Sequence, residues 1–209
     1  MSELARGFVL HPPKGRPFHF DTGALSLDLL ITGGPGRLAR WEMLYEPADL
    51  VRWAEWSRLP DGLAPVVTPD EVRSARVLRD ALHGVTAARA HGRELPAGDL
   101  AVVNRAAAEP PPVPRFGADG ARGWVPGATG AQLLSAVARD AVELFTGPYA
   151  HRIRECATDN CYLLFVDTSR PGRRRWCSME RCGNRHKVRA HRARNASAGA
   201  PDSLDPSVI

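Results

Sequence analysis

The four cysteines of this chain stand in two pairs, Cys156-Ala-Thr-Asp-Asn-Cys161 and Cys177-Ser-Met-Glu-Arg-Cys182, with fifteen residues between the pairs. Zinc takes four thiolates at tetrahedral corners, and two short-range pairs on two turns supply them once the intervening chain folds back on itself. Catalytic zinc usually keeps one position open for water, so a complete set of Cys156, Cys161, Cys177 and Cys182 predicts one structural Zn2+ ion. His186 and His191 lie nearby in the sequence, but the four thiolates already fill the shell. The rival reading is two disulfides, which would need an oxidising compartment. The opening residues, Met1 to Pro13, hold no apolar stretch of signal-peptide length. No apolar run reaches the roughly 18 residues of a membrane span. The expectation is therefore a cytoplasmic protein with reduced thiols and no membrane partner.

The second group with chemistry is arginine. Only Lys14 and Lys187 are lysines, and the richness in Arg, Ala, Gly and Pro points to a GC-rich, bacterial genome, so position carries more meaning than number. Residues 151–195 hold 12 Lys/Arg against 4 Asp/Glu, whereas residues 1–150 hold 16 against 17. With four thiolates on one zinc ion the Cys-bearing segment keeps a net charge of about +6, a strong field for a polyanion. Arg173, Arg174 and Arg175 precede Cys177. Beyond Cys182, residues 185–194 have helical propensity, with Arg185, Arg189 and Arg192 on one face and Lys187, His191 and Arg194 on the next. Like charges at these spacings repel, and a row of phosphates would relieve the repulsion. These eight basic residues, the histidine set aside, are the candidate nucleic-acid contacts. DNA is the expected partner, and RNA shares the electrostatics. The plain alternative is a solvated basic face.

These residues need elements to hold them. The 209 residues, 44% hydrophobic and 24% charged, suit one domain and a small module. Residues 1–17 read as a flexible arm. Phe18-His19-Phe20 and Leu25-Ser26-Leu27-Asp28-Leu29 alternate at period two and predict two short strands about a turn. A short amphipathic helix is expected from Glu46 to Trp56, and another opens at Thr68-Pro69-Asp70-Glu71 and ends near His91-Gly92. A further helix is expected over Pro96 to Ala108, stopped by Pro110-Pro111-Pro112. Val113 to Phe116 and Gly123 to Val125 predict a hairpin, and Ala131 to Phe145 carries a wide apolar helical stripe. In the Cys segment, Tyr162 to Asp167 and Arg173 to Trp176 predict a hairpin between the Cys pairs, followed by the basic helix. The fold class is thus α+β: a mainly helical N-terminal domain over 18–146 with short β-hairpins, then a small treble-clef-like zinc finger over 150–195, with 196–209 a disordered tail.

In the N-terminal domain Asp28, Trp53, Arg79 and Asn104 are candidates to line a polar pocket. No nucleophile-base constellation, phosphate-cradling loop or carboxylate pair accompanies them, and Gly33-Gly34-Pro35-Gly36 lacks the strand-to-helix setting of a nucleotide loop. The expectation is no enzyme. Trp176 and Phe165 read as the small core of the finger rather than as base-stacking groups.

Cys177-Ser-Met-Glu-Arg-Cys182-Gly183-Asn184-Arg185, with the upstream Cys156/Cys161 pair, Leu-Phe-Val-Asp and Trp-Cys-Ser, resembles the CGNR zinc-finger family. More loosely, residues 18–146 resemble the ABATE domain that precedes this finger, through Leu27-Asp28, Leu78-Arg79-Asp80-Ala81-Leu82 and the run into Arg152-Ile153-Arg154-Glu155-Cys156. The resemblance implies a stress-induced, DNA-binding transcription regulator with zinc on the four cysteines. The family pattern after Leu-Asp usually reads like Phe-Val-Asn-Thr, whereas Leu29-Leu30-Ile31-Thr32 stands here, so a ligand contact made through that Asn elsewhere is lost or changed. Three functions follow for comparison: a DNA-binding regulator whose N-terminal domain senses a small-molecule effector or forms a homodimer, an RNA-binding protein, and a small-molecule-binding or enzymatic N-terminal domain with the finger as a structural cap.

Overall fold

A computed structural model describes residues 7–12 and 15–198. Two strands, β1 (Phe8–Leu10) and β2 (Phe18–Phe20), pair antiparallel with Phe8 opposite Phe20 and Leu10 opposite Phe18. A short helix α1 (Leu25–Asp28) runs into 3-10 turns over Leu29–Thr32 and, after Gly33, over Gly36–Trp41. Three helices follow: α2 (Pro47–Trp56), α3 (Pro69–Ala90) and α4 (Ala97–Ala108). The hairpin β3 (Pro114–Phe116) and β4 (Arg122–Trp124) leads to α5 (Gly130–Thr146). The Cys segment holds β5 (Ile153–Glu155), β6 (Leu164–Val166), a π-helical turn over Met179–Gly183 and α6 (Asn184–Ala198).

The long helices start where their caps dictate. Thr68 accepts from the Glu71 backbone N–H at 3.3 Å while the Glu71 carboxylate accepts from the Thr68 N–H at 2.8 Å, and Thr129 and Gln132 repeat the exchange at α5. Glu71 also accepts from the Ala131 N–H at 2.8 Å, which ties the starts of α3 and α5 together. Gly130 permits this approach, since a Cβ there would lie 2.9 Å from the Glu71 side chain. One core follows from the stripes. Val72, Ala75, Leu78 and Leu82 of α3 bury against Leu133, Leu134, Val137, Ala138 and Ala141 of α5, with Leu50, Trp53 and Ala54 of α2 on their flank. Each large aliphatic side chain buried in this way contributes roughly 1.5–3 kcal/mol.

Four expectations are corrected. Leu25 to Leu29 is helical, not a strand: Ser26, Leu27, Asp28 and Leu29 are buried in succession, which a strand with one wet face does not allow. The partner of β2 is instead β1, drawn from the expected arm, and Phe8 with Phe18 and Phe20 points inward. The remainder of that arm includes residues 1–6 and 13–14, outside the described residues. In the Cys segment β6 pairs with β5, not with Arg173 to Trp176, so the hairpin encloses the first Cys pair. The 173–176 segment is held by single bonds instead, Arg174 N–H to Asp167 Oδ2 at 2.7 Å and Ala157 N–H to the Arg175 carbonyl at 2.9 Å. Finally, α6 runs on to Ala198, into the segment expected to be a tail, and residues 199–209 lie outside the described residues.

The finger is not a separate bead. Ile153, Leu164 and Val166 belong to the main core, and the Thr22 carbonyl accepts from the Val166 N–H at 2.7 Å.

Candidate metal centre and basic face

The Cys156 turn is closed by the Cys161 N–H bonding to the Thr158 carbonyl at 3.0 Å, with Asn160 in the left-handed region at φ 61°. The second pair enters from the π-helical turn, where the Gly183 N–H reaches the Ser178 carbonyl at 3.0 Å. Thr158 Oγ1 donates to the Cys182 carbonyl at 3.4 Å and so joins the two turns. The result brings all four sulfurs within 4.8 Å of one another. Cys161 Sγ lies 3.8 Å from Cys177 Sγ, and Cys177 Sγ lies 3.4 Å from Cys182 Sγ. A tetrahedral ion with Zn–S bonds of about 2.3 Å places its sulfurs about 3.8 Å apart. The thiols are free, far beyond disulfide bonding distance, and the donor set is that of a structural zinc site.

Charge at the centre fits the same ion. Hydrogen bonds from Cys161, Cys177 and Cys182 pull the Cys156 thiol far below its ordinary range, while bonding to Cys156 pushes Cys161 and Cys177 far above theirs. Cys182 is also shifted below its ordinary range, so four sulfurs in so small a space ease two protons off and hold the other two, and a divalent cation supplies the charge that lets all four ionise. The Cys177 N–H also points at Cys156 Sγ, 3.4 Å away. Beneath the sulfurs lie Phe18, Phe20 and Phe165, all buried, with Trp176 half-buried against them. Phe165 and Trp176 are therefore core, as their sequence context indicates. Among the described residues the metal-ligating cluster contains neither His186 nor His191; the His186 ring lies 5.5 Å from that of Trp176, tilted by 42°.

The eight basic candidates separate into three groups. Arg173, Arg175, Arg185, Lys187, Arg192 and Arg194 are exposed. Arg189 is exposed too, but its guanidinium holds Asp159 of the first Cys turn at 2.6 Å. Arg174 is spent inside the protein: it lies 4.1 Å from the Phe165 ring and donates to the carbonyls of Asp21 (3.0 Å), Trp176 (3.1 Å) and Cys177 (2.6 Å). Desolvation holds its pKa below the usual arginine range. Sequence reasoning missed Arg181, whose guanidinium lies 4.9 Å from the Phe18 ring at the foot of α6. Its place inside the second Cys pair marks it as close to the finger's surface, but nothing in the spacing names its aromatic partner.

The N-terminal candidates are placed apart. Asp28 is fully buried and accepts from Thr22 Oγ1 at 2.5 Å, from the Arg58 N–H at 3.1 Å and from the Arg58 guanidinium. Trp53 Nε1 donates to the Asp28 carbonyl at 3.0 Å, so these two do meet. Arg79, 2% exposed, forks onto Glu42 at 2.8 and 2.9 Å and reaches the Thr32 carbonyl at 3.3 Å. Gly33, at φ 135°, leaves room for it: a Cβ there would lie 2.9 Å from Arg79 Nη1. Asn104 is exposed on α4. Asp28 and Arg79 thus face protein partners and do not line an open pocket with Asn104. A groove of about 540 Å3 runs instead between α3, α4 and α5, floored by Leu78, Val102, Ala106 and Leu134 and rimmed by Arg73, Arg105 and Glu109. Ile31, which replaces the family's Asn, packs against the core beneath the sulfurs and lines a small apolar cavity with Leu163 and Leu164 of the finger.

The fold and centre define a helical domain fused through a shared core to a four-cysteine zinc finger. Residues 23–148 match the family model ABATE, described as "Putative stress-induced transcription regulator", and residues 152–195 match the CGNR zinc finger. The chain belongs to the ABATE family and carries the CGNR finger directly after that domain. Both descriptions are of a regulator and a zinc finger rather than an enzyme. No curated protein matched the chain. Among the described residues no helix is long and apolar enough to cross a membrane.

Proposed function

We propose that the protein is a DNA-binding transcription regulator of the bacterial cytoplasm, in which one structural zinc ion holds a cationic face against the phosphate backbone. The observation that carries this reading is the exposed set Arg173, Arg175, Arg185, Lys187, Arg192 and Arg194, concentrated on and beside the finger and left without acidic partners among the ion pairs of the described residues. Helix α6 is exposed over nearly all its described side chains, Val188 included, so the fold gains little from burying it. A helix that repels itself and buries little is stabilised by a polyanion laid along it. Arg174 holds the Cys177 segment in place and Arg189 braces α6 on the first Cys turn, so both position the face.

The N-terminal domain is the sensing or assembly half, and the groove between α3, α4 and α5 suits an apolar effector with a charged group. A stress-linked signal would act through this domain, because its core continues into the finger. The test is competition: a labelled random-sequence duplex on the zinc-loaded protein, challenged with unlabelled duplex DNA or structured RNA. Displacement by duplex DNA at lower concentration supports the reading. Preferential displacement by RNA would replace it with an RNA-binding function, and absence of binding to either would sink both.

A further inference from the structure

The 3-10 turn over Gly36–Trp41 belongs to the helical domain but lies against the finger. Its Leu38 shares a small apolar cavity with Tyr162, Leu163 and Leu164 of the finger. The neighbour of Leu38, Arg37, donates through Nη1 to the Tyr162 hydroxyl at 2.7 Å, and its guanidinium lies 5.9 Å from the centre of the Tyr162 ring. Tyr162 directly follows the zinc ligand Cys161. Three residues before Tyr162 stands Asp159, which holds Arg189 of α6 at 2.6 Å. The bond from the Cys161 N–H to the Thr158 carbonyl folds this stretch into a turn, and three residues span at most about 10 Å. One Cys loop therefore braces an arginine of α6 and an arginine of the helical domain side by side.

We propose that this 3-10 turn is a second contact for the phosphate backbone of duplex DNA, in which Arg37, with Arg40 one turn on, continues the cationic face of α6 across the first Cys loop onto the helical domain. This inference rests on the nucleic-acid reading above. Arg37 and Arg40 are both exposed, and Glu42, the acid nearest to them in sequence, is held by the buried Arg79. The Cys loop between them and α6 contributes the carboxylate of Asp159, which Arg189 already offsets. The positive surplus of this patch thus falls to Arg37 and Arg40. The Tyr162 hydroxyl takes one N–H of the Arg37 guanidinium and fixes its place, which leaves the other donors for phosphate oxygens as charge-assisted hydrogen bonds. The Arg40 guanidinium rests 5.3 Å from the centre of the Trp41 ring. Side chains seated before binding lose less rotamer freedom on contact than free ones. A duplex seated on both arginine sets would touch the two halves of the protein at once.

The experiment uses the full chain, zinc-loaded, with affinity for a labelled duplex measured over a series of salt concentrations. The variants are Arg37→Ala/Arg40→Ala and Arg40→Ala alone, with Arg115→Ala/Arg122→Ala on the β3–β4 hairpin as a control for lost charge. Zinc content of each is read with a chromophoric chelator. Arg37→Ala/Arg40→Ala should weaken binding about tenfold or more at low salt and make the slope of log affinity against log salt shallower by about two. Arg40→Ala leaves the Arg37–Tyr162 bond intact, so it reads the contact even if losing that bond disturbs the finger, and its slope should be shallower by about one. Binding by both variants no weaker than by the Arg115/Arg122 control, with the slope of the wild type, overturns the second contact and leaves the finger's own face standing. No duplex binding by the wild type overturns the underlying reading, and the second contact with it.

Discussion

At the residue scale the account turns on buried charges that are paired. Arg79 and Glu42 form a fork with Arg79 2% exposed, and each partner tilts the other: Glu42 is held below the usual carboxylate range by Arg79 against the opposing effect of its burial, and Arg79 is held above its own by Glu42 and Asp80. Arg79→Ala leaves the Glu42 charge without its main partner, and a loss of about 3–5 kcal/mol in urea unfolding is expected; the double Arg79→Leu/Glu42→Leu variant should recover much of it. Asp28 gives a pH signature. Burial, the largest influence, raises its pKa from 3.8 to about 6 despite Arg58. The folded protein therefore binds this proton more tightly than the unfolded chain between those values, and stability from this group falls as pH rises through the window, by up to about 3 kcal/mol. Stability measured from pH 4 to pH 6 should show this fall in the wild type relative to Asp28→Asn; parallel curves would refute the assignment. Cys177→Ser removes a zinc ligand, and the protein should no longer retain stoichiometric zinc after dialysis.

At the element scale helices α2, α3, α4 and α5 were legible, because the Thr68 cap of α3, the prolines after α4 and the apolar stripe over residues 131–145 encode start, stop and face directly. The cysteine spacing was legible for the same reason: ligand type and turn length are local properties. What was not legible is tertiary. Leu25 to Leu29 alternates like a strand, but Asp140 accepts from the Ser26 backbone N–H and Arg58 pairs with the buried Asp28 carboxylate, both far along the chain, which lets both faces be buried. Leu10 sits in a stretch too short to reveal that it packs on the finger's core. Arg174 stands between Arg173 and Arg175 in the same arginine run, and only its tertiary partners, the rings of Phe165 and Phe20 and the carbonyls of Asp21, Trp176 and Cys177, distinguish it. If β1–β2 is part of the finger, Phe20→Ala should cost about 3–5 kcal/mol and speed zinc release to a chelator. Unchanged release kinetics would place the hairpin outside the finger. Helix α6, exposed over nearly all its described side chains, should show weak amide protection from hydrogen exchange in the free protein and stronger protection when bound to a duplex.

At the scale of the whole molecule, Ile153, Leu164 and Val166 share one core with α3 and α5, which predicts that the finger and the helical domain unfold as one cooperative unit. Thermal unfolding should therefore follow a single transition that shifts downward for the entire protein when zinc is chelated; two transitions, of which only one responds to chelation, would show independent domains. The same contacts give the N-terminal domain a route to the proposed DNA-contacting face, through the Asp21 carbonyl, Arg174 and the Cys177 carbonyl. The central claim is that zinc serves as scaffold and arginine as recognition. It is tested most directly by the salt dependence of duplex binding, measured on the full chain before and after zinc is removed. The account predicts a slope of about −0.9 for each phosphate contacted, and so down to roughly −5 for the exposed set, lost with the metal. Binding that is independent of salt, or that survives zinc removal unchanged, would contradict it.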